Sequence, residues 1–138
     1  MSMFSEKERA YLSGQRIGRM ATVNRAGQPH VVPVVYRFNA ELDVVELGGH
    51  DFGTSKKFRD AQATGKIAFV VDDVGPDGRA RFIELRGDAE VLLTGGEQMR
   101  AGVDPQMIRV RPTRIFAWGI DGSEFGAHAR DATAQPPA

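Results

Sequence analysis

The run Val31-Val32-Pro33-Val34-Val35 makes two demands that few folds meet together. Four valines in five positions, without alternation, form the pattern of a strand covered on both faces. The proline among them has no N–H to give to a ladder and belongs at a sheet edge or a bulge. An open barrel seam satisfies both demands. The rest of the chain supplies the other staves. Apolar or alternating stretches predict strands over 17–23, 30–38, 43–47, 66–73 and 82–92. Two more follow over 107–110 and 113–120, broken at Arg111-Pro112. Six or seven strands joined by turns, with only two or three short helices, indicate a mainly β fold built as a small antiparallel barrel.

Local signals place the punctuation. Ser5-x-x-Glu8 is a capping box at the start of a short helix, with Phe4 as its hydrophobic staple and Gly14 as its stop. Asn24-Arg25-Ala26-Gly27 and the segment 74–79 are turns. Gly87 marks a bulge in a long strand. The segment 94–102 is ambiguous between loop and short helix. Residues 1–126 form one domain, and residues 127–138, ending Gln135-Pro136-Pro137-Ala138, are expected to be a disordered tail.

Chemistry concentrates in Gly48-Gly49-His50-Asp51-Phe52-Gly53-Thr54-Ser55-Lys56-Lys57-Phe58-Arg59, a loop joining a strand to a helix. Its glycines let backbone approach a ligand closely. Ser55 is the expected N-cap and Thr64-Gly65 the stop, which puts Lys56 and Lys57 in the first helical turn. The helix dipole repels each lysine there by about 0.3–1 kcal/mol, and a bound anion would reverse that balance. Exposed N–H groups, a hydroxyl and two ammonium groups suit a phosphate. A solvated loop with incidental lysines is the competing reading.

Composition removes most alternatives. Lysine plus arginine equals aspartate plus glutamate at 18 each, so no global field gathers nucleic acid or an anionic membrane. The absence of cysteine excludes disulfides, thiolate nucleophiles and Cys-ligated metals. His30, His50 and His128 lack metal-ligand spacing, and no metal is expected. The charged start and the lack of a long apolar run predict a cytoplasmic protein. Thr54 stands where a P-loop needs lysine, and Gly-x-Gly-x-x-Gly does not occur. Asp72-Asp73 reads as a solvated strand end rather than an acid–base pair. With no catalytic constellation, a bound cofactor is left to do the chemistry.

Together, Gly18-Arg19-Met20-Ala21-Thr22-Val23, Gly48-Gly49-His50-Asp51-Phe52, Ser55-Lys56-Lys57-Phe58-Arg59-Asp60, Phe69-Val70-Val71-Asp72-Asp73 and Trp118-Gly119-Ile120-Asp121 resemble the split β-barrel proteins related to pyridoxamine 5′-phosphate oxidase. The likeness spans residues 4–121 and is strongest to the actinobacterial branch that uses the deazaflavin coenzyme F420, which includes reductases of tetracycline-type pathways. It implies a split barrel, a homodimer with cofactor grooves at the subunit interface, and a small-molecule substrate. It also implies that Lys57, with Ser55 and Lys56 beside it, holds the cofactor phosphate.

From this resemblance Met20, Ala21, Thr22, Val32, Pro33 and Val34 are expected to wall the cofactor ring, although ordinary barrel core would use the same residues. Gly49 and His50 are expected near the ring or substrate. Trp118 either closes the neighbouring subunit's pocket or packs in the core. Tyr36, His50 or water returns the proton. The flavin oxidases carry Arg-x-x-Leu-Leu-Lys on the second strand, whereas here Val32 takes the arginine's place and Arg37 is the terminal cation. The expected activity is hydride transfer from reduced F420 to an electron-poor double bond. An FMN-dependent oxidoreductase or flavin-binding protein is one alternative. A non-enzymatic module for haem or another planar ligand is the other.

Overall fold

The computed structural model describes residues 2–120 and 127–132. Its elements run α1 (Glu6–Gly14), β1 (Ile17–Val23), β2 (Pro29–Asn39), β3 (Val44–Gly48), α2 (Lys56–Thr64), β4 (Lys66–Val74), β5 (Ala80–Leu92), β6 (Met107–Trp118) and β7 (Ala127–Asp131). Short 3₁₀ turns occupy Phe52–Thr54 and Gly96–Gln98, the second resolving the ambiguous segment 94–102. All pairings are antiparallel, in the order β3-β2-β1-β4-β5-β6-β7. A further β3–β6 pairing closes six strands into a barrel and leaves β7 outside on β6.

Alternation along each strand sends one set of side chains inward. Met20, Val34, Tyr36, Val45, Leu47, Phe69, Val71, Ile83, Leu85, Ile108, Val110 and Ile115 form the core, with the Tyr36 and Phe69 rings edge to face at 5.3 Å. The valine run behaves differently from expectation. β3 reaches β2 only from Val35 onward, so residues 29–34 have β1 on one side and, among the described residues, no strand on the other. Pro33 sits at that open edge, as its missing N–H requires. Burial on both faces does not follow, because Val31 is 66% exposed on the outer face.

Three further expectations are corrected. The break at Arg111-Pro112 is absent, and β6 runs unbroken. Gly87 pairs with Pro112 while Arg86 pairs with Arg114, so Thr113 is the extra residue of a bulge in β6 that accommodates the proline. Gly87 lies opposite because a Cβ there would come within 2.2 Å of the Arg111 carbonyl oxygen. Residues 127–131 are ordered rather than part of a disordered tail. Ala127–Asp131 is a strand on β6, and Arg130 from it reaches Glu8 of α1 through bonds of 2.6 and 3.0 Å. Both partners are buried, an arrangement for which no short-range pattern warned. Residues 133–138 lie outside the described residues. Finally, the α1 capping box forms, but Phe4 staples nothing within the helix, because the facing position is Arg9, which donates to the Phe4 carbonyl at 2.6 Å. Phe4 packs on Phe38 instead.

Candidate functional site

The glycine loop leaves β3 at Gly48 and turns through Asp51, whose φ of 54° is one that aspartate tolerates better than most residues. Phe52 anchors the loop in the core, edge to face with Phe58 at 5.6 Å. Ser55 caps α2: its hydroxyl accepts from Phe58 N–H and donates to the Phe52 carbonyl at 2.6 Å. Gly65 ends the helix at φ 69°, as the sequence indicated.

The two lysines diverge. Lys56 Nζ lies 2.8 Å from Asp60 one turn on, and this hydrogen bond, against the cost of desolvation, holds the Asp60 carboxyl below the usual range. Lys57 Nζ instead lies over the Phe52 ring at 5.5 Å and faces a cleft. That cleft, about 350 Å³, is lined by Pro33, Val34, Val35, Gly48, Gly49, His50, Lys57, Arg100, Ala101, Gly102 and Val103. A second hollow of about 350 Å³ shares Val35, Arg100 and Val103 with it and adds Gln15, Arg16, Tyr36 and Met99. Among the described residues no carboxylate lines either one.

The far wall is a segment laid across the loop. Gly48 has no Cβ, and one there would meet Met99 Sδ and Val103 Cγ1 at 3.0 Å, so the glycine seats these two side chains. Asp104 N–H donates to the Gly49 carbonyl at 3.0 Å. His50 Nδ1 lies 2.8 Å from the Gly102 carbonyl oxygen, which fixes the proton on Nδ1 and leaves Nε2 free. This bond first, and nearby Asp51 second, raise the His50 pKa above its ordinary value.

Pleating divides the other expected residues. Met20, Thr22 and Val34 point inward and are buried, with the Thr22 hydroxyl 3.4 Å from Asp60. Ala21 and Pro33 lie on the outer face, and Val32 is half-buried against the core. One flat ring therefore cannot meet all six side chains from one side. Tyr36 donates its hydroxyl to the Leu12 carbonyl at 2.5 Å, and burial raises its pKa well above the ordinary value. Its proton is thereby committed to the fold. Trp118 is 37% exposed opposite Phe82, so it is not a core residue. Arg37 is engaged as well. It and Arg109 grip the buried Glu46 at 2.5 and 2.9 Å, and although burial pushes the Glu46 carboxyl up, these bonds hold it below the usual range. Asp72 and Asp73 bind Arg19 and Arg81, a structural role.

The family model for pyridoxamine 5′-phosphate oxidase matches residues 4–131. The chain belongs to that family. Within it, the chain is 43% identical over 136 residues to the 5a,11a-dehydrotetracycline/5a,11a-dehydrooxytetracycline reductase of Streptomyces rimosus, covering 96% of this chain and 95% of the relative. A solved F420 reductase superposes with a TM-score of 0.60 at 22% identity, covering 78% of this chain and 94% of its own. A haem-binding protein of Mycobacterium smegmatis gives 0.65 at 15%, covering 93% and 58%. These structures share the family's split barrel. The family binds flavins and deazaflavins, and the full-length match to a reductase makes the chain an oxidoreductase of this fold. No helix among the described residues is long and apolar enough to cross a membrane.

Sequence reasoning missed Arg16, Met99, Arg100 and Val103. They come from a strand-entry loop and from the segment after the second 3₁₀ turn, and no motif marks either.

Proposed function

We propose that the protein is a deazaflavin-dependent reductase acting on the electron-poor carbon–carbon double bond of a planar organic substrate of the dehydrotetracycline kind. The observation that carries this reading is the cationic, carboxylate-free cleft at the glycine loop, in a chain nearly half identical to a reductase of that substrate. The residues present suit the cofactor. Lys57 would hold the phosphate as the lysine that faces the cleft, with Ser55 and Lys56 beside it. Gly49 and Pro33 would flank the ring with Val34 beside them, while Met20, Thr22 and Val32 lie on the inner side of the barrel wall and Ala21 borders a separate hollow. When bound, reduced F420 supplies a hydride.

The chain's own part is binding, orientation and proton delivery. Apolar walls from Val34, Val35 and Val103 exclude water, and positioning supplies most of the rate. His50 borders the cleft, and in its protonated form it can return the proton from Nε2 to the substrate carbon next to the one that receives hydride. F420 is favoured over FMN by charge. The F420 phosphate is a diester with one negative charge, whereas the FMN monoester carries nearly two. Here Val32 replaces an arginine, Arg37 is held by Glu46, and Lys56 is held by Asp60.

A homodimer completes the reading. Ile17, Ala21, Val31, Pro33 and Val35 share the outer face of β1 and β2, with Ile17 47% and Val31 66% exposed. In this reading the groove lies at the subunit interface, Trp118 closes the neighbour's pocket, and the compartment is the cytoplasm. Competitive titration of the purified protein with F420 and FMN, followed by anaerobic turnover of reduced F420 with dehydrotetracycline, tests the proposal. Tighter binding of FMN that F420 fails to displace would replace it with the flavin alternative. Tight haem binding without turnover would favour the planar-ligand module.

A further inference from the structure

The 18 lysines and arginines balance the acids in number but not in place. Most are neutralised in ion pairs or donate to backbone carbonyls: Arg19, Arg37, Lys56, Lys66, Arg81, Arg86, Arg109, Arg111, Arg114 and Arg130 meet carboxylates, and Arg9 and Arg59 meet carbonyls. Arg25 and Arg79 extend from hairpin turns, and Lys7 is engaged as well. Arg16, Lys57 and Arg100 have no hydrogen-bonding or acidic partner among the described residues, and all three line the two joined hollows. Lys57 answers to the cofactor phosphate in the reading above. Arg16 lines the second hollow and Arg100 borders both, neither with an assigned ligand.

We propose that this second hollow is the substrate's subsite, and that Arg16 and Arg100 bind an anionic oxygen of a planar, acidic enol-type substrate. The proposal rests on the reductase reading and names the substrate chemistry that the site selects. Val35, Met99 and Val103 give the hollow an apolar wall for a ring, and Gln15 adds an amide able to bond a carbonyl. A volume of about 350 Å³ is enough for part of a fused ring system, with the remainder extending into the shared wall at Val35 and Val103. Arg100 does not hang free of the site. Its neighbours Met99, Gly102 and Val103 are fixed on Gly48 and His50, so the guanidinium is presented by the segment that walls the cofactor side.

The placement also matches the charge that the reaction creates. Hydride from the reduced deazaflavin forms a C–H bond at the carbon β to a carbonyl, and the displaced π electrons move to that oxygen as an enolate. A proton then adds at the α carbon, the enolate collapses to the ketone, and the cofactor is left oxidised. Two unpaired guanidinium groups bordering the path stabilise the oxygen charge as it develops.

The test uses the full-length protein, oxytetracycline as a product-like enolate probe, and F420 as a separate ligand, both followed by fluorescence titration. Arg16→Gln, confined to the second hollow, is expected to weaken the probe about tenfold while leaving F420 affinity within about twofold; Arg100→Gln, whose side chain borders both hollows, is expected to weaken the probe about tenfold and F420 less. Arg100→Lys should recover part of the loss, and wild-type probe affinity should fall with added salt. Both arginines are exposed and unpartnered, so melting temperatures should match the wild type. Unchanged probe affinity in both variants, or a wild type that does not bind the probe, overturns the proposal. F420 affinity that falls while the probe is unaffected also overturns it, by assigning the arginines to the cofactor. A wild type that binds the probe through these arginines but not F420 keeps the subsite and removes the deazaflavin reading.

Discussion

Replacing Lys57 by alanine separates a ligand-binding lysine from a structural one, because its neighbour supplies the control. Lys57 touches only the Phe52 ring, at 5.5 Å. Losing that cation–π contact costs about 0.5–1 kcal/mol. Removing a cation from the first turn of α2 returns about 0.3–1 kcal/mol. The two nearly cancel, so the melting temperature should stay close to that of the wild type. Binding should not. A charge-assisted contact with the cofactor phosphate contributes about 1.5–3 kcal/mol, or roughly ten- to a hundredfold in Kd. Lys56→Ala inverts the pattern, since Lys56 holds the Asp60 carboxylate at 2.8 Å and Asp60 is itself buried beneath β1. Stability falls there and cofactor affinity changes less. Fluorescence titration with F420 beside thermal melts of both variants measures the two effects. Full F420 affinity in Lys57→Ala would refute the assignment, however the melts behave.

Three other outcomes follow from the same geometry. Glu8→Gln keeps the capping box but leaves the Arg130 charge buried without its partner, so denaturant unfolding should show a loss of about 3–5 kcal/mol, and an unchanged midpoint would contradict the role given to that pair. If protonated His50 returns the proton, activity is complete below the ordinary histidine pKa, persists above it because the folded pKa is raised, and declines as pH passes that raised value; a His50→Gln variant with the same alkaline limb would exclude it. Val31→Lys should add a second charge beside Arg19 on the outer face of β1 and β2 and shift light scattering from dimer to monomer. A wild type that is already monomeric with full cofactor affinity would dispose of the dimer.

The barrel was legible because strand patterns are local. Ile17–Val23 was readable to the residue, and the open edge of β2 followed from one missing N–H at Pro33. The α2 boundaries were equally clear, since Ser55 and Gly65 are caps whose chemistry is complete within a few residues. What escaped depends on contacts distant in sequence. β7 is held by β6 and by an ion pair spanning residues 8 and 130, so its own small, polar residues gave no sign of a strand. Pro112 looked like a break because its tolerance depends on Gly87 across the sheet.

The site was half readable for the same reason. The glycine loop announces itself, but loop residues alone cannot say which cations are free. Lys56, and more distantly Arg37, remained candidates beside Lys57 for a phosphate until Asp60 and Glu46 were seen to hold them. Arg16 and Arg100 carried no motif, and became candidates only when the fold paired off the cations around them. In a chain of zero net charge, the residues left without an opposite partner show where an anion is expected. Apart from Arg25 and Arg79 on hairpin turns, they border two joined hollows beside the loop whose glycine admits Met99 and Val103 and whose histidine fastens the segment carrying Arg100. In the proposed reading the candidate site arises by subtraction, with charge neutralised across much of the surface and left unbalanced where a substrate and a cofactor would meet.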